Sequence, residues 1–299
     1  EYETLGLCGS NCGIKNVEAI VKFVEDCDRM GLDSMSTGNS VALAMDLYEQ
    51  GVLSKEDVNG LDLRFGNEAE YAKMPRIIAN RDGIGDVLAD GAKRAAKKIG
   101  KGAEALVIDV KGMEYPAYDP RGSIGMALAY ATSDRGACHL RAWPVAAEAY
   151  GDMDPWSPEG KAEICVEDQT RTSVKWSMIF CDFYGVSFPN MAKYYSAVTG
   201  QESSEEHLRT VGKRVWNLTR AFNAREGFSK KDDTMPERMT SEPLPSGKAA
   251  GRNVPRADFE KMLEEYYRLW NWDDQGRPTK AALEGVGLQD VAAKLDYLK

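Results

Sequence analysis

The sequence predicts an all-α, mainly helical chain built as two domains. Three observations predict it. Apolar residues recur at helical spacing through most of the chain, only one short segment reads as a strand, and 299 residues is about the length of two domains. The strand marks the division, giving one helical domain over residues 1–110 and a second over 111–299.

The elements follow in order. Val17, Ile20, Val21, Val24 and Cys27 share one helical face, and Gly31 supplies a stop. Ser40 to Glu49 repeats the pattern and stops at Gly51. Amphipathic stretches follow near Glu68 to Ala79 and from Ile84 to Ile99. Val107 to Gly112 is the strand, rich in β-branched residues and bounded by Gly. Helical periodicity returns at Ala162 to Phe183 and Met191 to Thr199. It is strongest from Ser203 to Arg225, where Ser203 and Ser204 offer an N-cap and Glu205 and Glu206 suit the first turn. Ser229 to Val254 has no periodicity. Two further helices, Ala257–Leu269 and Gln289–Leu298, close the chain, the first with a charged face of Lys261, Glu264, Glu265 and Arg268.

Glu114 to Trp143 has a different texture, rich in Gly, small residues and isolated charges. It contains Tyr118-Asp119-Pro120-Arg121-Gly122 and Arg135-Gly136-Ala137-Cys138-His139. Such polar segments without periodicity often line a ligand.

Composition narrows the function. The formal net charge of −9 argues against nucleic-acid binding, because nothing offsets phosphate repulsion over the surface as a whole. The densest positive stretch, Lys93 to Lys101, reads as a solvated helix end, with a local basic groove left open. No apolar run approaches the roughly 18–20 residues that span a bilayer, so no membrane association is expected. The six cysteines are not spaced as a disulfide framework or a zinc site and read as mostly buried, reduced thiols of a cytoplasmic protein. His139 and His207 are the only histidines, which excludes a His-rich metal site within the chain. The opening Glu1-Tyr2-Glu3-Thr4 carries no Met and no signal-peptide pattern. The expectation is a start at a processing site or within a longer protein.

One near-duplication stands out. Asp28-Arg29-Met30-Gly31-Leu32-Asp33 and Asp182-Phe183-Tyr184-Gly185-Val186-Ser187 each follow an apolar helical segment. Each has Asp, then Gly three residues later, then an aliphatic residue, then a small polar one. A Gly just past a helix turns the backbone through positive φ, and an Asp one turn earlier supplies an acceptor for the N–H edge of a heterocycle. On spacing alone the pair reads first as two plain helix caps.

These turns and several ordered segments together resemble the aldehyde:ferredoxin oxidoreductase family, tungsten or molybdenum enzymes that hold the metal between two pterin dithiolenes. The opening Glu1 to Gly6 resembles the entry to the family's second domain. Asp28 to Asp33 with Ser36-Thr37-Gly38-Asn39 resembles its first pterin motif, and Asp182 to Ser187 its second. Tyr118 to Gly122 and Arg135 to Ala142 resemble its active-site segments. Trp216-Asn217-Leu218, Asn223 to Phe228, Lys231-Asp232-Asp233 and Pro236-Glu237-Arg238 resemble its C-terminal signature.

The resemblance implies two helical domains with a cofactor cleft between them and an open pterin face lined by Asp28, Asp33, Arg135, His139 and Asp182. It implies that Asp28, Leu32 and Asp33 contact one pterin, and that Asp182, Val186 and Phe188 contact the other. Arg135 and Arg141 fall where basic residues meet the cofactor. Glu3 falls at a general base, and His139 at a hydrogen-bond donor to the carbonyl or oxo group. The implied reaction oxidises a small aldehyde to a carboxylic acid and passes electrons to ferredoxin. A related oxidoreductase acting on a sugar phosphate or an aromatic thioester is the first alternative, and a cofactor-free helical binding protein the second. A homodimer stays open. The implied cofactors of the full-length protein are a tungstopterin (or molybdopterin) and a [4Fe–4S] cluster. The family's fourth cluster cysteine falls at Ser187. That leaves a serine oxygen ligand, a cluster with three protein thiolates, or no cluster. The family's N-terminal β-rich domain is expected to be absent from this chain, which alone would be inactive and bind no cofactor. A truncated chain is expected, with a natural subunit of a split enzyme as the alternative.

Overall fold

The computed structural model describes residues 2–298. The chain is mainly helical, with one two-stranded hairpin among the described residues, and it folds as two compact units. No helix of the described residues is long and apolar enough to cross a membrane.

The first unit comprises Glu1–Asp119 and Met235–Glu242. It opens on a π-helical stretch, Thr4–Gly9, and a 3-10 turn, Ser10–Cys12. Gly38 lets the π-helical stretch lie close on its neighbour, since a Cβ there would stand 2.7 Å from the Leu7 carbonyl oxygen. Helix α1 (Val17–Met30) is capped by Asn16, which accepts the Glu18 N–H, and it buries Ile20, Phe23 and Cys27. It ends where the sequence puts the stop. Gly31 takes φ +70°, its N–H reaches the Asp28 carbonyl, and the Leu32 N–H reaches the Cys27 carbonyl at 2.9 Å. That is a Schellman closure. Asp33 then caps α2 (Ser34–Glu49) by accepting the Ser36 N–H at 2.7 Å.

The next two predicted helices are each divided. Glu68 to Ala79 forms α3 (Glu68–Tyr71) and α4 (Met74–Ala79). Ile84 to Ile99 forms α5 (Ile84–Leu88) and α6 (Ala92–Ile99), separated by Gly91 at φ +86°. The lysines around α6 are exposed, and Lys93, Lys98 and Lys101 pair with Asp109, Asp86 and Asp57. The predicted strand is only two residues long. Strand β1 (Asp109–Val110) pairs antiparallel with β2 (Met113–Glu114) across Lys111-Gly112, both at positive φ as a two-residue primed turn requires.

The second unit comprises Pro120–Thr234 and Pro243–Lys299. Helix α7 (Gly125–Thr132) lies inside the stretch read as a ligand segment, and each of its residues is buried. A helix buried all round has no apolar stripe to read. Glu148, on α8 (Val145–Tyr150), accepts the Gly125 N–H and the Ser123 hydroxyl and pairs with buried Lys161 at 2.7 Å. Lys161 starts α9 (Lys161–Ser177), which stops well short of the predicted Phe183. Helices α10 (Phe188–Thr199) and α11 (Glu205–Arg225) follow, the latter capped by Ser204 as expected. Gly212 lets α11 approach α9 backbone to backbone, since a Cβ there would stand 2.3 Å from the Thr170 oxygen.

Helix α12 (Arg238–Ser241) returns to the first unit, where Arg238 pairs with Asp46. Helix α13 (Arg256–Leu269) packs its tyrosines against α9. The Trp216 Nε1 donates to the Tyr266 hydroxyl, which donates to Gln169 Oε1, and Gln169 Nε2 donates to Thr132. Arg220 forms a bidentate pair with Asp233, both buried, and Tyr267 donates to the same carboxylate. Short helices α14 (Lys280–Glu284) and α15 (Gln289–Ala292) follow, and the helix expected over Gln289–Leu298 is instead α15 and a separate 3-10 turn, Asp296–Leu298.

Candidate functional site

The residues singled out in the sequence divide between the two units. In the first, Glu3 is buried, and its Oε2 accepts the Ala117 N–H at 2.8 Å. This fixes the carboxylate against the residue that precedes Tyr118-Asp119-Pro120. Gly6 permits the approach, because a Cβ there would meet the Ala117 Cβ at 2.4 Å. Tyr2 stacks on Tyr118 with ring centroids 4.7 Å apart. The Cys8 Sγ donates to the Ser34 carbonyl, tying the helical stretch that follows Glu3 to the start of α2.

At the α1–α2 corner, Asp28 and Asp33 are both exposed, while Leu32 tucks partly into the core. The Asp33 Oδ2 is engaged by the cap, and Oδ1 stays available as an acceptor. The corner therefore offers two carboxylates held by a fixed backbone, an acceptor set suited to the N–H edges of a pterin.

The second turn does not copy the first. Helix α9 closes at Ile179, which takes the left-handed conformation, φ +60°, that Gly31 supplies in the first turn. The Ile179 N–H reaches the Trp176 carbonyl, and the Phe180 N–H reaches the Lys175 carbonyl. Gly185 is not at positive φ and caps no helix. The expectation of two equivalent helix-end glycines is thus corrected, because the left-handed closing residue, Ile179, lies six residues before the second Gly. Asp182 is instead held by α9. Trp176 Nε1 donates to its Oδ1 at 2.9 Å, and the Lys175 ammonium lies 3.0 Å from the same oxygen and donates to the Asp182 carbonyl at 2.6 Å.

Arg141 joins this cluster. Its guanidinium lies over the Trp176 ring, 4.4 Å from the centroid, and donates to both oxygens of Asp134. Asn223 donates to the Asp134 carbonyl. A cavity of about 290 Å³ opens here, with Asp134, Arg141, Trp176 and Trp216 in its wall. The fold thus brings Arg141 and Asp182 together through Trp176. Trp176, Lys175 and Asp134 went unnoticed in the sequence, where nothing in their spacing relates them to the second turn.

Val186 and Phe188 are buried in a small core with Val174, Met191 and Leu208, and Arg209 covers the Phe188 ring. Their side chains are therefore committed to packing. Arg135 is exposed and donates to the Cys138 sulfur, and His139 is half-buried beside it in sequence. Ser187 is exposed at the N-cap of α10, where its side chain makes no capping bond, and Cys181 is also exposed. A hydroxyl at position 187 does not fit a cluster that takes a thiolate there. Among the described residues no group of three His, Cys, Asp or Glu side chains could hold a metal ion.

Residues 1–288 match the family model described as aldehyde ferredoxin oxidoreductase, domains 2 and 3. The tungsten-containing aldehyde ferredoxin oxidoreductase of Pyrococcus furiosus is 35% identical over 298 residues, covering 97% of this chain and 48% of the relative. An aliphatic sulfonate oxidoreductase, WOR-like subunit, of the same organism is 30% identical over 312 residues, covering all of this chain and 47% of that protein. The chain spans about half the length of the curated relatives it matches. Among solved structures, the active-site complex BamBC of benzoyl coenzyme A reductase superposes with a TM-score of 0.76 at 24% identity, covering 96% of this chain and 48% of that one. At that identity the likeness concerns the fold alone.

Proposed function

The chain belongs to the aldehyde ferredoxin oxidoreductase family, and on that premise we propose that its whole protein is a tungsten- or molybdenum-pterin enzyme that oxidises an aldehyde and passes electrons to ferredoxin. The carrying observation is the family match over residues 1–288, with the α1–α2 corner presenting Asp28 and Asp33 at its surface. When bound, the bis-pterin metal supplies a two-electron acceptor. Asp28 and Asp33 accept from the N–H edge of one pterin, and Asp182 from the other. Arg135 and Arg141 face the cofactor's anionic groups.

Oxidation of an aldehyde to its acid takes up one water oxygen and releases two electrons and two protons. Glu3, fixed by the Ala117 N–H, takes a proton as general base. His139 donates an N–H to the carbonyl oxygen, which draws charge from the carbon under attack.

A second reading keeps the fold and the cofactor but changes the substrate, and the relative named an aliphatic sulfonate oxidoreductase supports it. Metal analysis of the full-length protein is expected to find tungsten or molybdenum. Aldehyde-dependent reduction of a viologen dye is expected to outrun that with a sulfonate, a sugar phosphate or an aromatic thioester. Absence of both metals would sink the proposal, and a faster rate with another substrate class would select the second reading.

A further inference from the structure

We infer that Trp176 and Lys175 are positioning residues for the second pterin contact, holding Asp182 and Arg141 in fixed register beside the cavity; this rests on the function proposed above. Both lie in the last turn of α9, so a rigid helix sets their direction. The Trp176 N–H and the Lys175 ammonium both engage Oδ1 of Asp182. Its Oδ2 is left as the acceptor for an N–H edge. The opposite partner is fixed by the same indole. Its ring carries the Arg141 guanidinium, and Asp134 orients the fork from the other side.

One side chain thus sets an acceptor and a cation relative to each other, and neither depends on loop backbone alone for its place. The helix end beside it is strained. Ile179, β-branched, is left-handed and exposed, and the Lys175 contacts to Asp182 close the loop around it. A plain helix stop gains nothing from a β-branched residue there, whereas a loop clamped to present Asp182 tolerates one.

The test uses the full-length protein carrying Trp176→Phe, Lys175→Met or Asp182→Asn. Pterin and metal per chain are measured before and after prolonged dialysis, with a thermal melt of each variant. Trp176→Phe keeps an aromatic ring for Arg141 and removes the N–H to Asp182. It is expected to lose pterin about tenfold faster than wild type, the scale of one hydrogen bond to a charged group, with its melt little changed. Lys175→Met is expected to behave likewise. If wild type holds pterin and Asp182→Asn loses it while Trp176→Phe and Lys175→Met retain it, the inference falls and the proposed function stands. A lowered melt with unchanged pterin retention marks a purely structural role and also overturns it. A wild-type protein without pterin overturns the proposed function and the inference with it.

Discussion

At the scale of single residues, chemistry follows exposure. Cys8, Cys12, Cys27, Cys138 and Cys165 are buried, and only Cys181 is exposed. Burial pushes the Cys27 thiol up to about 12 and raises Cys12 and Cys165 as well. A raised thiol pKa keeps the group protonated at neutral pH, and the thiolate is the nucleophile, so these cysteines stay inert until pH climbs far above neutral. Alkylation at neutral pH is therefore expected to modify Cys181 first, and Cys181→Ser to abolish the fast phase. Peptide mass mapping checks this, and rapid modification of Cys27 would contradict it. The carboxylates Asp28, Asp33 and Asp182 were legible in the sequence because each sits at a fixed offset from a Gly. Trp176 was not, because its importance comes from two contacts, to residues 35 positions before it and six after. No periodicity encodes such contacts.

At the scale of elements, close backbone approach decides which helices pair. Gly212 stands where α11 crosses α9, and a Cβ would press on a backbone carbonyl that cannot swing aside. Helix propensity alone favours Ala over Gly by about 1 kcal/mol. Overpacking against backbone costs more, so Gly212→Ala is expected to lower stability by a net ~1–2 kcal/mol in urea denaturation. A stabilised variant would mean that the two helices can separate without loss. The amphipathic helices α1, α9, α10, α11 and α13 were legible because one face is buried and the other wet, whereas α2 is buried nearly all round and only its second half, from Ser40, was legible. Helix α7 escaped because it is buried on all sides, and the breaks within the two early stretches escaped because apolar spacing continues across each short turn.

At the scale of the whole molecule, each unit has its own buried interior, and all six tryptophans, from Trp143 to Trp272, belong to the second unit. Tryptophan emission therefore reports that unit, in whose core Trp216, Trp270 and Trp272 pack with Tyr266 and Tyr267. The Arg220–Asp233 pair lies against this aromatic group, both side chains almost fully out of water. Removing one partner strands a buried charge, so Asp233→Ala is expected to cost about 3–5 kcal/mol, read as a lower urea midpoint of the tryptophan transition. An unmoved midpoint would show that Arg220 finds water or another partner.

The sequence alone determined the mainly helical class, the family, the corner from Asp28 to Asp33, and the candidate residues by position. The class and the corner depend on local rules, such as a Gly after a helix and apolar spacing along a face, whereas the family and the candidate residues came from the resemblance of ordered segments. Only the tertiary structure decided that the second turn is built differently. The same Asp-x-x-Gly pattern gives a left-handed Gly31 in one place and a clamped Asp182 after a left-handed Ile179 in the other. A motif states which groups are available, but backbone conformation is settled by what packs against it, and at the second turn that is the last turn of α9.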